Sequence, residues 1–321
     1  MSSWYQTEKG YGILVALAFD ILLALILLVM AWNLLRCHDL FQAVVLFISF
    51  GFLMALVWVR LNAPDIALAE AAIGSAMTGA LLLAALGEFK PSESVDVAGN
   101  PVIAGLLCIA VVCMLGYAVL NQPAASVGLR DVVANSTAET GVSNPVTAVL
   151  LSFRGYDTLL EIAVLLMAVL AVLSIRNTGP AFVHKASGSP VLAAGVRILV
   201  PLLVIVSGYL LWVGAHAPGG AFQAGAVLAG AMILAAFTDA QWIHRISATT
   251  WRIALVFGLV VFILVGAGTA LIYDSMLEYR NDVSKWLILA IESAATISIA
   301  CSLTVLLVGR FTPDVEMEGE K

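Results

Sequence analysis

Residues 11–31 read YGILVALAFDILLALILLVMA, twenty-one positions that carry a single charge, Asp20. At 1.5 Å of rise per residue this stretch spans about 30 Å as a helix, the thickness of a bilayer's hydrocarbon core. It lacks a small-residue cleavage site and holds an acid in mid-run, so it reads as a retained span and not as a cleaved leader. Similar runs follow at 40–60, 64–87, 101–120, 157–176, 192–213, 219–238, 250–273 and 286–309. They are continuous and not alternating, which argues against a membrane β-barrel. Backbone groups in lipid must be satisfied within the segment. The expected fold is therefore an all-α, polytopic transmembrane bundle of about nine spans. Composition points the same way: of 321 residues, 62% are hydrophobic and 11% charged, far from the balance of a soluble domain.

The connections are short except for 121–156, which contains Asn121-Gln122-Pro123 and Asn144-Pro145. Its first part reads as a polar loop and residues 146–153 as a short interfacial helix. A second break lies at 177–190, with Gly179-Pro180 and Gly188-Ser189-Pro190. These breaks divide the chain into 1–120, 121–178 and 179–321, with no internal repeat. The four cysteines, Cys37, Cys108, Cys113 and Cys301, have no CxxC spacing and read as small buried hydrophobes. No haem, iron–sulfur or zinc ligand set is visible, so neither a cofactor nor a metal is expected.

With nine spans, the N-terminus and the loops after even-numbered helices share one side, side A. It carries six basic and twelve acidic residues, while side B carries nine of each, so the net charge of −6 lies wholly on side A. The excess of basic residues on side B makes that side cytoplasmic. The expected location is the inner cell membrane, with the N-terminus outside and the C-terminus inside. An acidic face of this kind suits an opening that attracts cations or protons.

Four acids fall inside the runs: Asp20, Glu70, Glu161 and Glu292. Each would cost about 2.5–3.5 kcal/mol at a helix centre, so each needs either a packing reason or a functional one. All four lie on odd-numbered helices, on the side A half. Counting residues places Glu161 about 6 Å, Glu70 and Glu292 about 9 Å, and Asp20 about 14 Å below that surface. Asp65 and Asp157 mark the same rim. Thr296, Ser298 and Ser302 follow Glu292 along its helix. Either they extend a proton path, or they bond back to their own carbonyls. No lysine lies deep in any run, so the chain reads as a half-path that must meet other subunits, not as a complete pump.

Two turns stand out. Asn62-Ala63-Pro64-Asp65 ends one run and opens the next, with Pro64 suited to a first helical turn. His216-Ala217-Pro218-Gly219-Gly220 joins the sixth and seventh runs. Gly219 and Gly220 there permit close backbone approach or positive φ, and His216 reads as a loop hydrogen-bonder. Gly225 and Ala229 offer small-residue surface for packing against other membrane subunits.

Three stretches together carry a family resemblance: Asn62-Ala63-Pro64-Asp65-Ile66-Ala67-Leu68-Ala69-Glu70-Ala71-Ala72, Phe153-Arg154-Gly155-Tyr156-Asp157-Thr158-Leu159-Leu160-Glu161-Ile162, and Pro218-Gly219-Gly220-Ala221-Phe222-Gln223-Ala224-Gly225. The first two resemble modules D and E of membrane-bound hydrogenases, and the third is similar to the Mrp B subunit. Their order matches that in Mrp-type multisubunit cation/proton antiporters. Ala69, Leu160, Ala221 and Ala224 depart from the pattern, which has threonine at the first of these positions and glycine at the other three. The resemblance implies an accessory antiporter subunit that moves Na+ or H+ with other membrane subunits, with Glu70 and Glu161 on the ion or proton path. The alternatives are a membrane arm of a hydrogenase-like or complex-I-like redox assembly, and a structural adaptor between larger subunits. Glu292 joins the candidates by position alone.

Overall fold

The computed structural model describes residues 2–88, 101–122, 128–175, 190–238, 246–280 and 283–308. The break at 177–190 falls almost entirely outside them. All regular elements among the described residues are helical. Eight helices are long and apolar enough to cross a membrane, and a shorter apolar one accompanies them. The protein is a multipass membrane bundle.

Helix α1 (Ser2–Arg36) packs on α2 (Leu40–Arg60), whose first turn is capped by Asp39 accepting from the Phe41 and Gln42 amides. After the left-handed Asn62 (φ 57°), Pro64 opens α3 (Pro64–Ala69). The third span then widens into a π-helical stretch, Glu70–Met77, before α4 (Thr78–Glu88). The sequence pattern had suggested one regular helix here. The hydroxyls show the difference: Ser75 Oγ donates to Glu70 O at 3.1 Å and Thr78 Oγ1 to Ile73 O at 2.9 Å, both five residues back. Ser75 is fully buried against Gly51 of α2, where its hydroxyl leaves no room for a larger residue. Helix α5 (Pro101–Leu120) exposes nearly all its described side chains. Cys108 and Cys113 are on it, so the expectation that they are buried is corrected; Cys301 is buried and Cys37 half-buried.

The long connection is structured from residue 128 onward. Helix α6 (Arg130–Ser136) leads through a 3-10 turn to α7 (Pro145–Ala148), capped by Asn144, and a second π-helical turn, Val149–Phe153, feeds α8 (Gly155–Ile175). Helices α9 (Pro190–Val213), α10 (Ala221–Thr238), α11 (Ala248–Tyr273) and α12 (Ser284–Val308) follow. Helix α12 is the axis: buried over most of its length, it packs on α4, α8, α9, α10 and α11.

That central packing uses the small residues. A Cβ on Gly225 would stand 2.8 Å from Ile299 Cγ2 and 3.2 Å from Thr296 O, and Ala224 and Ala229 are fully buried. Gly225 therefore serves the contact between α10 and α12, and Ala229 is buried in the chain's own core, so neither faces other subunits as expected. On the far side of α12, Ser298 Oγ donates to Leu255 O of α11 at 2.6 Å. Such close helix approach through small residues is a membrane-bundle device.

Candidate functional site

The turn between α9 and α10 is where the distant parts of the chain meet. Gly219 (φ 159°) and Gly220 (φ 108°) reverse the backbone so tightly that Gly220 N–H returns to Leu210 O at 2.9 Å. From α3, Asp65 accepts the Gly219 N–H at 3.0 Å, and its own carbonyl accepts from Gln223 Nε2 at 3.2 Å. Asp65 is 8% exposed, so it is a buried clasp and not a rim charge.

The long connection grips the same turn from the other side. Ser143 and Asn144 donate their amides to Ala215 O at 2.9 and 3.1 Å. Asn144 Nδ2 donates to Gly214 O and Ala217 O, and Thr147 Oγ1 to Gly214 O at 2.6 Å. His216 Nδ1 and Ser143 Oγ lie 3.0 Å apart, as a loop hydrogen-bonder should. Residues 143–148 thus saturate carbonyls that a tight turn inside an apolar bundle would otherwise orphan. Ala148 and Leu151 are buried in the core, so this short helix is packed into the protein.

Beside the clasp runs a groove of about 640 Å³. All three recognised stretches or their helices line it: Ile73 from the π-turn, Asp157, Glu161 and Leu165 from α8, and Phe222 and Ile299 from α10 and α12. Asp157 and Glu161 are one helical turn apart, so both carboxylates share the groove face. Arg154 pairs with Asp157 at 2.5 Å across an exposed surface, an arrangement worth little in stability. The walls around these acids are otherwise mainly aliphatic and aromatic, which concentrates their field.

The other candidates have separate surroundings. Glu70 begins the π-turn and folds its carboxylate over it: a Cβ on Gly74 would lie 2.6 Å from Glu70 Oε1, and one on Gly51 3.5 Å from it. Such π-turns occur often at functional positions. Glu292 is 4% exposed at the start of α10, where a Cβ on Gly220 would be 3.0 Å from its Oε1. The hydroxyls after it bond to carbonyls: Thr296 Oγ1 to Glu292 O at 2.8 Å, and Ser298 away to α11. The local alternative holds for Thr296, whereas Ser298 bonds across to a neighbouring helix.

Asp20 stands apart from these acids. Arg60 Nε donates to its Oδ1 at 2.6 Å and Nη2 to its Oδ2 at 2.9 Å. This fork joins α1 to α2 on an exposed surface, away from the groove. The antiparallel helices bring residue 60 to the level of residue 20, and the long guanidinium spans what remains. Asp20 is therefore an ion-paired acid. Sequence reasoning passed over the roles of Asn144 and Thr147. Asn144-Pro145 carried the signal of a helix cap, but its second set of partners lies some seventy positions away.

Fold and site together define a polytopic membrane protein whose modules interlock at one turn. Comparison with known proteins finds three family models. Residues 25–91 match the MbhD model, which describes the D subunit of MBH, and 99–183 match MbhE, which describes its E subunit. Residues 191–311 match the domain related to the MnhB subunit of the Na+/H+ antiporter. The three models match successive parts of the chain, in that order. It is 33% identical over 147 residues to the A subunit of the Na+/H+ antiporter of Alkalihalophilus pseudofirmus, a match covering 43% of this chain and 18% of that protein. The chain thus matches less than a fifth of that relative's length. The fold resembles a chain of the Mrp complex from Dietzia sp. DQ12-45-1b, with TM-score 0.74 and 21% identity, over 99% of this chain and 39% of that one. It also resembles a chain of the membrane-bound sulfane sulfur reductase, an archaeal respiratory membrane complex, with TM-score 0.55 and 23% identity, over 65% of this chain and 96% of that one.

Proposed function

We propose that the chain is a membrane subunit of a multisubunit Na+/H+ antiporter, set in the inner cell membrane with its N-terminus outside. It works with other membrane subunits, and its acid-lined groove forms part of the cation or proton path. The observation that carries this is the groove itself. Residues from all three modules, which we bound near residues 120 and 178, build one wall around Asp157 and Glu161. A packing surface has no use for two carboxylates on a lipid-depth helix, where each is costly. A cation path does, because the pair lowers the energy of a positive charge among apolar walls.

In this reading Glu161 and Asp157 receive the cation. Glu70 acts one layer inward, where the π-turn frees it from regular helix geometry. Asp65, Pro64, His216, Pro218, Gly219 and Gly220 hold the turn on which the groove wall rests. The decisive experiment is Glu161→Gln in membrane vesicles that carry the complex. Loss of Na+-dependent ΔpH dissipation at unchanged complex yield supports the assignment; full activity removes the groove from the path. A second reading, a membrane arm of a redox complex, is favoured by the likeness to the respiratory reductase chain. It differs in needing an electron donor for ion movement.

A further inference from the structure

The start of α10 holds a carboxylate setting unlike the groove. Glu292 is almost wholly buried, its Oε2 has no hydrogen-bond partner among the described residues, and the Ala221 backbone N–H faces its carboxylate. Eighteen residues of α10 stand behind that amide, so the positive end of the helix meets an acid. A small cavity of about 10 Å³ adjoins Glu292, bounded also by His216, Lys285 and Trp212. That is close to the least space that holds one water molecule.

The charged and titratable groups around Glu292 are few. Lys285, two turns earlier on α12, lines the cavity, with its Nζ 5.9 Å from the Trp212 ring centroid. His216 comes from the turn and is exposed. From α3, Asp65 is bound to Gly219 N–H on the opposite side of the same turn, and from α10 Gln223 reaches back to the Asp65 carbonyl.

We infer that Glu292 and His216 form a proton-exchange site distinct from the acid-lined groove, with Lys285 and the α10 N-terminus keeping metal cations out. This rests on the antiporter reading above and assigns the ion that this second site takes. A metal cation needs several oxygen ligands and a net negative surrounding. Here one carboxylate is flanked by an ammonium and a helix N-terminus, in space for a single water. A proton needs one oxygen. His216 Nδ1 is engaged with Ser143 Oγ, which leaves its other ring nitrogen for exchange with solvent. The proton breaks from that nitrogen, crosses the cavity through one water, and bonds to Glu292 Oε2. The ring loses its positive charge and the carboxylate its negative one. Thr296 Oγ1 donates to a carbonyl and takes no part, so the site fills and empties from the His216 side.

Two measurements on the full chain with its co-purifying subunits test this. The first is infrared difference spectroscopy across pH 5–10, with a carboxylic C=O band assigned by its loss in Glu292→Gln. We expect His216→Ala to slow the band's response to a pH jump at least tenfold. In Lys285→Met the band survives to a pH on the order of one unit more alkaline, because a nearby positive charge is gone. Changing Na+ from zero to 0.2 M leaves it unmoved. A band displaced by Na+, or no Glu292 band at any pH, overturns the proposal. The second is transport in vesicles, where Glu292→Gln and His216→Ala alter the pH profile while the apparent Na+ affinity stays within twofold. A changed Na+ affinity with an unchanged pH profile also overturns it. The infrared result needs no transport, so absent antiport in the parent complex would refute the antiporter reading and leave the proton site standing.

Discussion

Replacing Asp65 with alanine removes the acceptor for a buried amide and tests the clasp directly. The Gly219 N–H to Asp65 Oδ1 bond is 3.0 Å long and its acceptor 8% exposed, so water replaces the lost oxygen poorly. An orphaned buried donor costs about 1–3 kcal/mol, and a carboxylate acceptor puts the loss toward the upper half of that range. The Gln223 contact goes to the Asp65 backbone carbonyl and survives the change. For a chain of this length, that loss lowers a thermal midpoint by roughly 2–6 °C. Asp65→Asn retains an oxygen at the same place and should stay within about 1 °C of the parent in the same comparison. The assay is thermal unfolding of the detergent-purified protein at fixed scan rate, since membrane proteins seldom unfold reversibly. Equal midpoints for parent and alanine variant would refute the clasp. An asparagine variant as unstable as the alanine one would show that the charge, not the acceptor, does the work.

Three further outcomes are expected. Glu70→Ala and Glu161→Ala each abolish coupled transport in vesicles while complex yield, read by co-purification, is unchanged; Asp96→Ala, at a position outside the described residues, leaves transport intact. Gly225→Val forces a side chain into Ile299 and the Thr296 carbonyl and should cost about 1–3 kcal/mol by overpacking, visible as a lower thermal midpoint. Tyr279, in the connection between α11 and α12, has a buried hydroxyl without a partner among the described residues, and burial pushes its phenol above the ordinary range. The unfolded chain therefore ionises first, and stability falls as pH rises past about 10. Tyr279→Phe should remove that alkaline loss at no cost near neutral pH, measured as thermal midpoint against pH.

The spans were legible because each run is of bilayer length and bounded by turn residues, and pattern alone decides such elements. The π-turn after Glu70 was not. It depends on Ser75 packing against Gly51, and no local periodicity records which helix supplies the neighbour. The clasp was half legible. Pro64-Asp65, Asn144-Pro145 and Gly219-Gly220 each announce a turn, but Asp65 and Gly219 are 154 positions apart. The acids were legible as residues but their neighbours were not: depth along a helix gives level, not azimuth. So the sequence did not show that Asp20 meets Arg60 of the next helix. Likewise Gly225 was recognisable as a packing residue, while its partner, α12 of the same chain, was not.

The most direct test of the central claim is ion flux in liposomes reconstituted with the complex that co-purifies with this chain, with no electron donor or acceptor present. An imposed ΔpH should collapse on addition of Na+, and Glu161→Gln should abolish that collapse at equal protein incorporation. Collapse that requires a redox substrate, or that proceeds unaltered in Glu161→Gln, would contradict the account.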